Sequence, residues 1–244
     1  MRNLMLKLEY DGTEYHGWQR QNNAVTIQEL LEKTLSKITK AGVSVTGCSR
    51  TDAGVHALGY VCNFNTKSNI PAERMPYALN SLLPKDITVL ECREASHEFH
   101  ARFCTKGKKY RYRIINRTFP SVFERNYVYH WPYSLDMRLM EESVGFFVGE
   151  HDFSAFMASG SAAKDTVRTI YDFTIEKKND EIIMEVSGNG FLYNMVRIIA
   201  GTVLYVGNGR IKAASIPKII KDGDRKEAGI TAPPQGLYLV EVYY

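Results

Sequence analysis

The spacing of apolar residues changes repeatedly along the first hundred positions, from a period of two to about 3.6 and back. The resulting order is strand, helix, strand, strand, helix, strand. Few folds accommodate that order: a sheet with helices laid on one face, in the α+β class. Asn3 to Tyr10 reads as the first strand. Thr26-Ile27-Gln28-Glu29 has the pattern of a capping box at a helix start. Behind it, Ile27, Leu30, Leu31, Leu35 and Ile38 recur at helical spacing and predict one buried stripe. Val43 to Thr46 is a short strand that runs into the polar turn Gly47 to Gly54. Leu58, Tyr60, Cys62 and Phe64 alternate along the next strand. Pro76 suits the first turn of a helix running to Leu83, and Ile87 to Glu94 closes the set as a strand.

A second set begins near Lys106. Lys108 to Asn116 is strand-like, with Tyr110, Tyr112 and Ile114 on one face and Lys109, Arg111 and Arg113 on the other. Met137, Met140, Val144 and Phe147 form a helical stripe. Thr169 to Glu176 and Glu181 to Val186 form a hairpin turning at Lys177-Lys178-Asn179-Asp180. Phe191 to Val206 reads as a helix and Leu237 to Tyr243 as the last strand. Two α/β halves are expected, residues 1–105 and 106–244, each with a sheet and two helices on one face. The halves are expected to share one continuous sheet, with a cleft between them.

Several function classes are set aside by what the chain lacks. No apolar run is long enough to cross a bilayer without polar interruption. The start, Met1-Arg2-Asn3-Leu4-Met5-Leu6-Lys7, meets a charge at Lys7 and does not read as a signal peptide, so a cytoplasmic location is expected. Cys48, Cys62, Cys92 and Cys104 form no C-x-x-C pair and read as reduced, mostly buried thiols. His97, His100 and Cys104 lack the second ligand pair of a zinc site, and no metal is expected. There is no Walker A loop and no G-x-G-x-x-G after a strand, so no nucleotide cofactor is expected either.

Three features carry chemistry. Between Val186 and Gly209 the only charged side chain is Arg197, flanked by Met195, Val196, Ile198 and Ile199. A helix apolar nearly all round is a buried helix, and an arginine there cannot shed its charge. Either its stem is buried and its head reaches water, or it meets a desolvated carboxylate facing a cleft. Asp52, in the polar loop between Gly47 and Gly54, is the candidate for that carboxylate. An aspartate before Ala-Gly commonly caps a turn amide. With Arg50 and Thr51 before it, however, it would remain ionised and nucleophilic. The third feature runs from Phe99 to Phe123, which holds no acid. It carries Arg102, Lys106, Lys108, Lys109, Arg111, Arg113 and Arg117, interleaved with Phe99, Phe103, Tyr110, Tyr112, Phe119 and Phe123. Basic side chains meet phosphates and exposed rings stack on unpaired bases, so the stretch fits RNA; a strand with its tyrosines in the core fits it too.

Arg50-Thr51-Asp52-Ala53-Gly54-Val55-His56-Ala57 resembles the catalytic loop of the tRNA pseudouridine synthase A family. Five further segments are similar to that family, in order: Tyr10 to Gln21, Phe99 to Phe103 with Lys109 to Tyr112, His151 to Phe153, Asn194 to Arg197, and Ala232 to Leu237. The resemblance implies that Asp52 is the catalytic aspartate, Tyr110 the tyrosine stacking on the target uracil, and Arg197 the arginine paired with the aspartate. It implies an apolar active-site role for Leu237 and a base-flipping, backbone-holding role for Arg50. Lys108, Lys109, Arg111 and Arg113 would then face the RNA backbone. It further implies two ferredoxin-like, RRM-like halves in one extended antiparallel sheet, with helices on one face and the site in a central cleft. The partners implied are tRNA and a second copy of the chain, as a homodimer. The targets implied are uridines at about positions 38–40 of the anticodon stem-loop, isomerised without a cofactor. Ser49 stands where the family commonly has glycine.

Overall fold

The structure, a computed structural model, describes residues 1–161 and 163–244. The elements in chain order begin with β1 (Arg2–Tyr10), α1 (Ile27–Thr39), β2 (Val45–Gly47), β3 (His56–Thr66), α2 (Met75–Asn80) and β4 (Ile87–Ala95). They continue with β5 (Gly107–Ile115), β6 (Tyr129–His130), α3 (Met137–Gly145), β7 (Gly149–Asp152), β8 (Val167–Lys178) and β9 (Glu181–Gly188). The last three are α4 (Met195–Gly207), α5 (Ile216–Asp222) and β10 (Leu237–Tyr243). The class is α+β, as the apolar spacing predicts. Two compact units result: Met1–Lys106 with Tyr238–Tyr244, and Gly107–Leu237.

The first unit therefore claims the end of the chain, which differs from the expected half 106–244. The reason is local pairing. Tyr238 and Leu239 run parallel to His56 and Ala57, and Tyr238 stacks on the His56 ring at 4.7 Å. The Lys106 N–H donates to the Tyr243 carbonyl at 2.8 Å. This parallel pairing is also a departure from the all-antiparallel expectation; the others in this unit, β4 with β1, β1 with β3 and β2 with β3, are antiparallel. Leu4, Leu6 and Leu8 are fully buried, as a strand of period two with a core face requires.

Helix α1 forms where its apolar stripe predicts, burying Ile27, Leu31 and Leu35. Its capping box does not form. Thr26 is the N-cap, yet its side chain caps nothing, and its buried Oγ1 has no partner among the described residues. The orphan N–H groups of Ile27 and Gln28 donate instead to the carbonyls of Gly17 and Trp18, at 3.3 and 3.1 Å. Glu29 turns to Lys33 one turn along, at 2.7 Å. The helix start is thus tied to the opening segment of the chain. Cys48, Cys62 and Cys92 are buried and Cys104 is exposed, and none of the four is joined in a disulfide among the described residues.

In the second unit β5, β9, β8 and β7 pair antiparallel in that order, and β6 joins β5 in parallel. Tyr110, Tyr112 and Ile114 are buried on one face of β5. Helix α4 starts four residues later than the expected Phe191, because Asn194 takes a left-handed conformation (φ 61°) that stops a helix from extending backward. Strands β6 and β7 and helix α5 are absent from the expected set. At seven residues, α5 is too short to display a stripe, although it buries Ile216, Ile219 and Ile220. This unit therefore has three helices among the described residues instead of two. Among the described residues no helix is long and apolar enough to cross a membrane.

Candidate active site

The loop that follows β2 carries Asp52, half-buried, and Arg50, exposed. Two backbone groups flanking Asp52, the Thr51 carbonyl and the Gly54 N–H, are held by the segment Tyr10–Trp18. The Trp18 N–H donates to the Thr51 carbonyl at 3.2 Å, and the Gly54 N–H donates to the Tyr15 carbonyl at 3.2 Å. The hydroxyls of Tyr10 and Thr51 share a buried hydrogen bond of 2.9 Å. Within the loop, the Val55 N–H donates to the Asp52 carbonyl at 3.2 Å. His56 is buried, and its Nδ1 accepts the Gly12 N–H at 3.0 Å with the Asp11 carboxylate 3.2 Å away. Below the loop the Trp18 and Tyr60 rings stack at 3.9 Å, and the Tyr60 hydroxyl donates to the Ser49 carbonyl.

Two glycines make this contact possible. Gly17 has a φ of 85°, which favours glycine, and its backbone lies against Thr51 and Asp52. Gly12 lies against the Val55 carbonyl, whose carbon would be 2.6 Å from an added Cβ. The opening segment is thus the support of the catalytic-loop candidate, and spacing alone did not reveal it. The glycine-bearing run Tyr10 to Gln21 was the signal available in the sequence.

Burial pushes the phenol of Tyr60 above its ordinary value of 10.0, with Cys48 the next contributor. Burial and a hydrogen bond to Asp86 do the same for Tyr15, and burial does so for Tyr112 against the opposing Arg197 charge. The folded protein retains these protons where an unfolded tyrosine would lose them. Their stabilising contribution is therefore complete below pH 10.0 and declines as pH rises beyond it. Urea unfolding at stepped alkaline pH checks this: the midpoint should fall once pH passes about 10, the tyrosine reference value.

In the second unit the candidates converge on the segment before β10. Arg197, on the first turn of α4, is part-buried; its Nε donates to the Ala232 carbonyl at 2.7 Å and its Nη1 to Asn194 Oδ1 at 2.8 Å. The Ala232 N–H returns a bond to the Arg197 carbonyl at 3.1 Å. The Tyr112 hydroxyl donates to the Pro233 carbonyl at 2.7 Å, and Gly236 fits against the Tyr112 ring. Leu237, buried, follows directly. Tyr110 shares the buried face of β5 with Tyr112 and meets the Phe191 ring edge-on, at 5.1 Å and 82°. Phe191 is a neighbour that its place in the sequence gave no reason to single out.

The basic face of β5 is matched by carboxylates from outside the acid-free stretch. Glu185 on β9 meets Lys109 at 2.5 Å and Arg111 at 2.7 Å. Arg113 meets Glu181 at 2.5 Å and Glu124 at 3.0 Å. Burial opposes ionisation of Glu185, yet hydrogen bonds from Lys109 and Arg111 hold its carboxyl below the ordinary value. Local positive charge on this face is consequently smaller than the sequence suggests.

A model of the family described as tRNA pseudouridine synthase matches residues 8–104 and 145–244. A tRNA pseudouridine synthase A from Thermoanaerobacter sp. (strain X514) is 54% identical over 244 residues, covering 100% of both chains. Its namesakes from Acetivibrio thermocellus and Clostridium acetobutylicum are 53% and 47% identical, again over 100% of both chains. A solved chain from a Cbf5-Nop10-Gar1 complex aligns at 14% identity and a TM-score of 0.38, covering 97% of this chain and 48% of that one, a likeness too slight to build on. The protein is an isomerase, a pseudouridine-forming enzyme. The chain belongs to the tRNA pseudouridine synthase family.

Proposed function

We propose that this enzyme converts uridine to pseudouridine in the anticodon stem-loop of tRNA, at about positions 38–40, with Asp52 as the catalytic carboxylate. The observation that carries the reading is the clamp on the Asp52 loop: hydrogen bonds shared with Tyr10, Tyr15 and Trp18 hold a half-buried carboxylate on a rigid turn. The reaction breaks the C1′–N1 bond, turns the uracil and rejoins it through C5. Substrate and product contain the same atoms, so neither a redox cofactor nor a metal is required. Asp52 acts by attacking the ring or ribose, or by assisting uracil departure and removal of the C2′ proton.

Arg197 keeps Asp52 ionised and aimed in this reading, and the Ala232 and Asn194 oxygens fix its guanidinium for that task. Tyr110, braced by Phe191, stacks on the uracil, and Leu237 supplies an apolar wall. Extruding the base costs about a few kcal/mol, which Arg50 and the basic residues Lys108, Lys109, Arg111 and Arg113 offset through phosphate contacts. Of these, Arg50 is exposed, whereas Lys109, Arg111 and Arg113 must exchange carboxylate partners for phosphate. The working form is a cytoplasmic homodimer, with one tRNA touching both subunits.

Arg197→Met should lower kcat/KM by about 10²–10³-fold while leaving tRNA binding nearly unchanged, because it removes the charge and keeps the stem. Single-turnover rates and a binding isotherm for the variant check the split. The function itself is tested by mapping pseudouridine in an unmodified tRNA transcript with carbodiimide and reverse-transcription stops. Stops confined to about positions 38–40 are expected; modification only outside the anticodon stem-loop would overturn the assignment.

A further inference from the structure

We infer that Phe103, backed by His100 and Arg102, is a stacking platform for an unpaired nucleobase of the RNA substrate, additional to the base received by Tyr110. The inference rests on the proposed tRNA reading and adds a contact that the reading does not contain.

The fold sorts the rings of the acid-free stretch into different environments. Tyr110 and Tyr112 are buried. Phe99 is half-buried against Tyr244 at 5.0 Å. Phe103, four residues on, is 77% exposed. A lone exposed phenylalanine is commonplace and by itself signifies little. What distinguishes Phe103 is how firmly its turn is held. Ala101 is fully buried; its N–H donates to Asn63 Oδ1 at 2.9 Å, and its carbonyl accepts from Thr105 Oγ1 at 2.7 Å and from the Tyr244 hydroxyl at 2.8 Å. The Cys104 N–H closes the turn on the His100 carbonyl at 2.9 Å. His100 Nδ1 accepts the N–H groups of both Arg102 and Phe103, at 3.2 Å each.

Held in this way, the imidazole lies nearly parallel to the Phe103 ring, 4.2 Å between centroids and 25° between planes. The Arg102 guanidinium carbon is 5.9 Å from the same ring. A flat, pre-ordered, solvent-open ring with a planar neighbour and a cation beside it has the form that receives a base, since every base offers a π-face. Most of the ordering entropy is already spent in the free protein. Charge selects the partner. Phe103 is bracketed in sequence by Arg102 and Lys106, inside a run without acids. Arg102 and Lys106 are both exposed, and exposed cations next to an open ring suit a polyanion.

The test is a binding isotherm with an unmodified tRNA transcript at fixed salt, for wild type, Phe103→Ala, Phe103→Leu and Phe103→Trp. Alanine should weaken binding by about tenfold to a hundredfold. Leucine, apolar but without a π-face, should fall with alanine, and tryptophan should stay within about threefold of wild type. Thermal unfolding and gel-filtration volume should not change, since the side chain is exposed. Wild-type affinity in Phe103→Ala overturns the inference, and so does leucine performing as well as phenylalanine. A changed oligomeric state in Phe103→Ala overturns it in favour of a second copy of the chain as occupant. If the wild-type protein does not bind tRNA, the proposed function falls and this inference falls with it; a normal wild type with an unaffected alanine variant removes this inference alone.

Discussion

Gly12→Ala is expected to lower both stability and activity, although the substitution lies forty residues before the proposed catalytic group. An alanine Cβ at this position would lie well inside contact distance of the Val55 carbonyl oxygen and 2.6 Å from its carbon. Both obstacles are backbone, so no side-chain rotation relieves them. Either the opening segment or the loop must shift, and the Gly12 N–H bond to His56 Nδ1 lengthens with it. Overpacking against backbone costs about 3 kcal/mol, the upper end of the usual range, which lowers Tm by roughly 6–12 °C in a chain of this size. A displacement of about 1 Å at a reacting group costs about 10²-fold in rate, so the protein that remains folded should also be slow. Gly42→Ala is the control. Nothing lies within 4 Å of its added Cβ, and its effect should remain within about 0.5 kcal/mol. A Gly12→Ala protein with normal melting and normal turnover would mean that the clamp is not what holds the loop.

How much of this was legible in the sequence depended on whether the cue was local. Strands β1, β5 and β10 lie within a residue of where alternation puts them, because period two with one buried face is written in consecutive residues. The stripe of α1 was legible for the same reason. Its cap was not, since the carbonyls of Gly17 and Trp18 that receive its first N–H groups lie ten residues upstream, and Thr26 mimicked a box that never closed. Apolar spacing starts α4 too early because apolar residues occur as far back as Phe191 and Leu192, while a single left-handed residue, Asn194, sets the true boundary. The acid-free stretch misled in a different way: sequence distance hid Glu181 and Glu185, which strand pairing sets directly across from Ile115 and Arg111. For the candidate site, the loop and the lone charge of α4 were visible as types of residue in unusual surroundings. Their supports, Tyr10, Trp18, Asn194 and Ala232, lie in segments that the resemblance marks, but which groups they hold, and the part of Tyr60, emerge only from the tertiary fold.

The account stands on Asp52, and Asp52→Asn examines it with least ambiguity. Asparagine retains the size of the side chain and removes its charge. The bonds described for the clamp use the backbone of Thr51, Asp52 and Gly54 and the Thr51 hydroxyl, so the variant should fold and bind tRNA as the wild type does. Forming the new bond at C5 expels the hydrogen that C5 carried, so tRNA tritiated at uridine C5 releases tritium to water with each turnover. The expected result is rapid release by wild type and, for Asp52→Asn, a loss of about 10⁴-fold or more. Release at the wild-type rate by the asparagine variant would contradict the assignment of this carboxylate and the mechanism built on it.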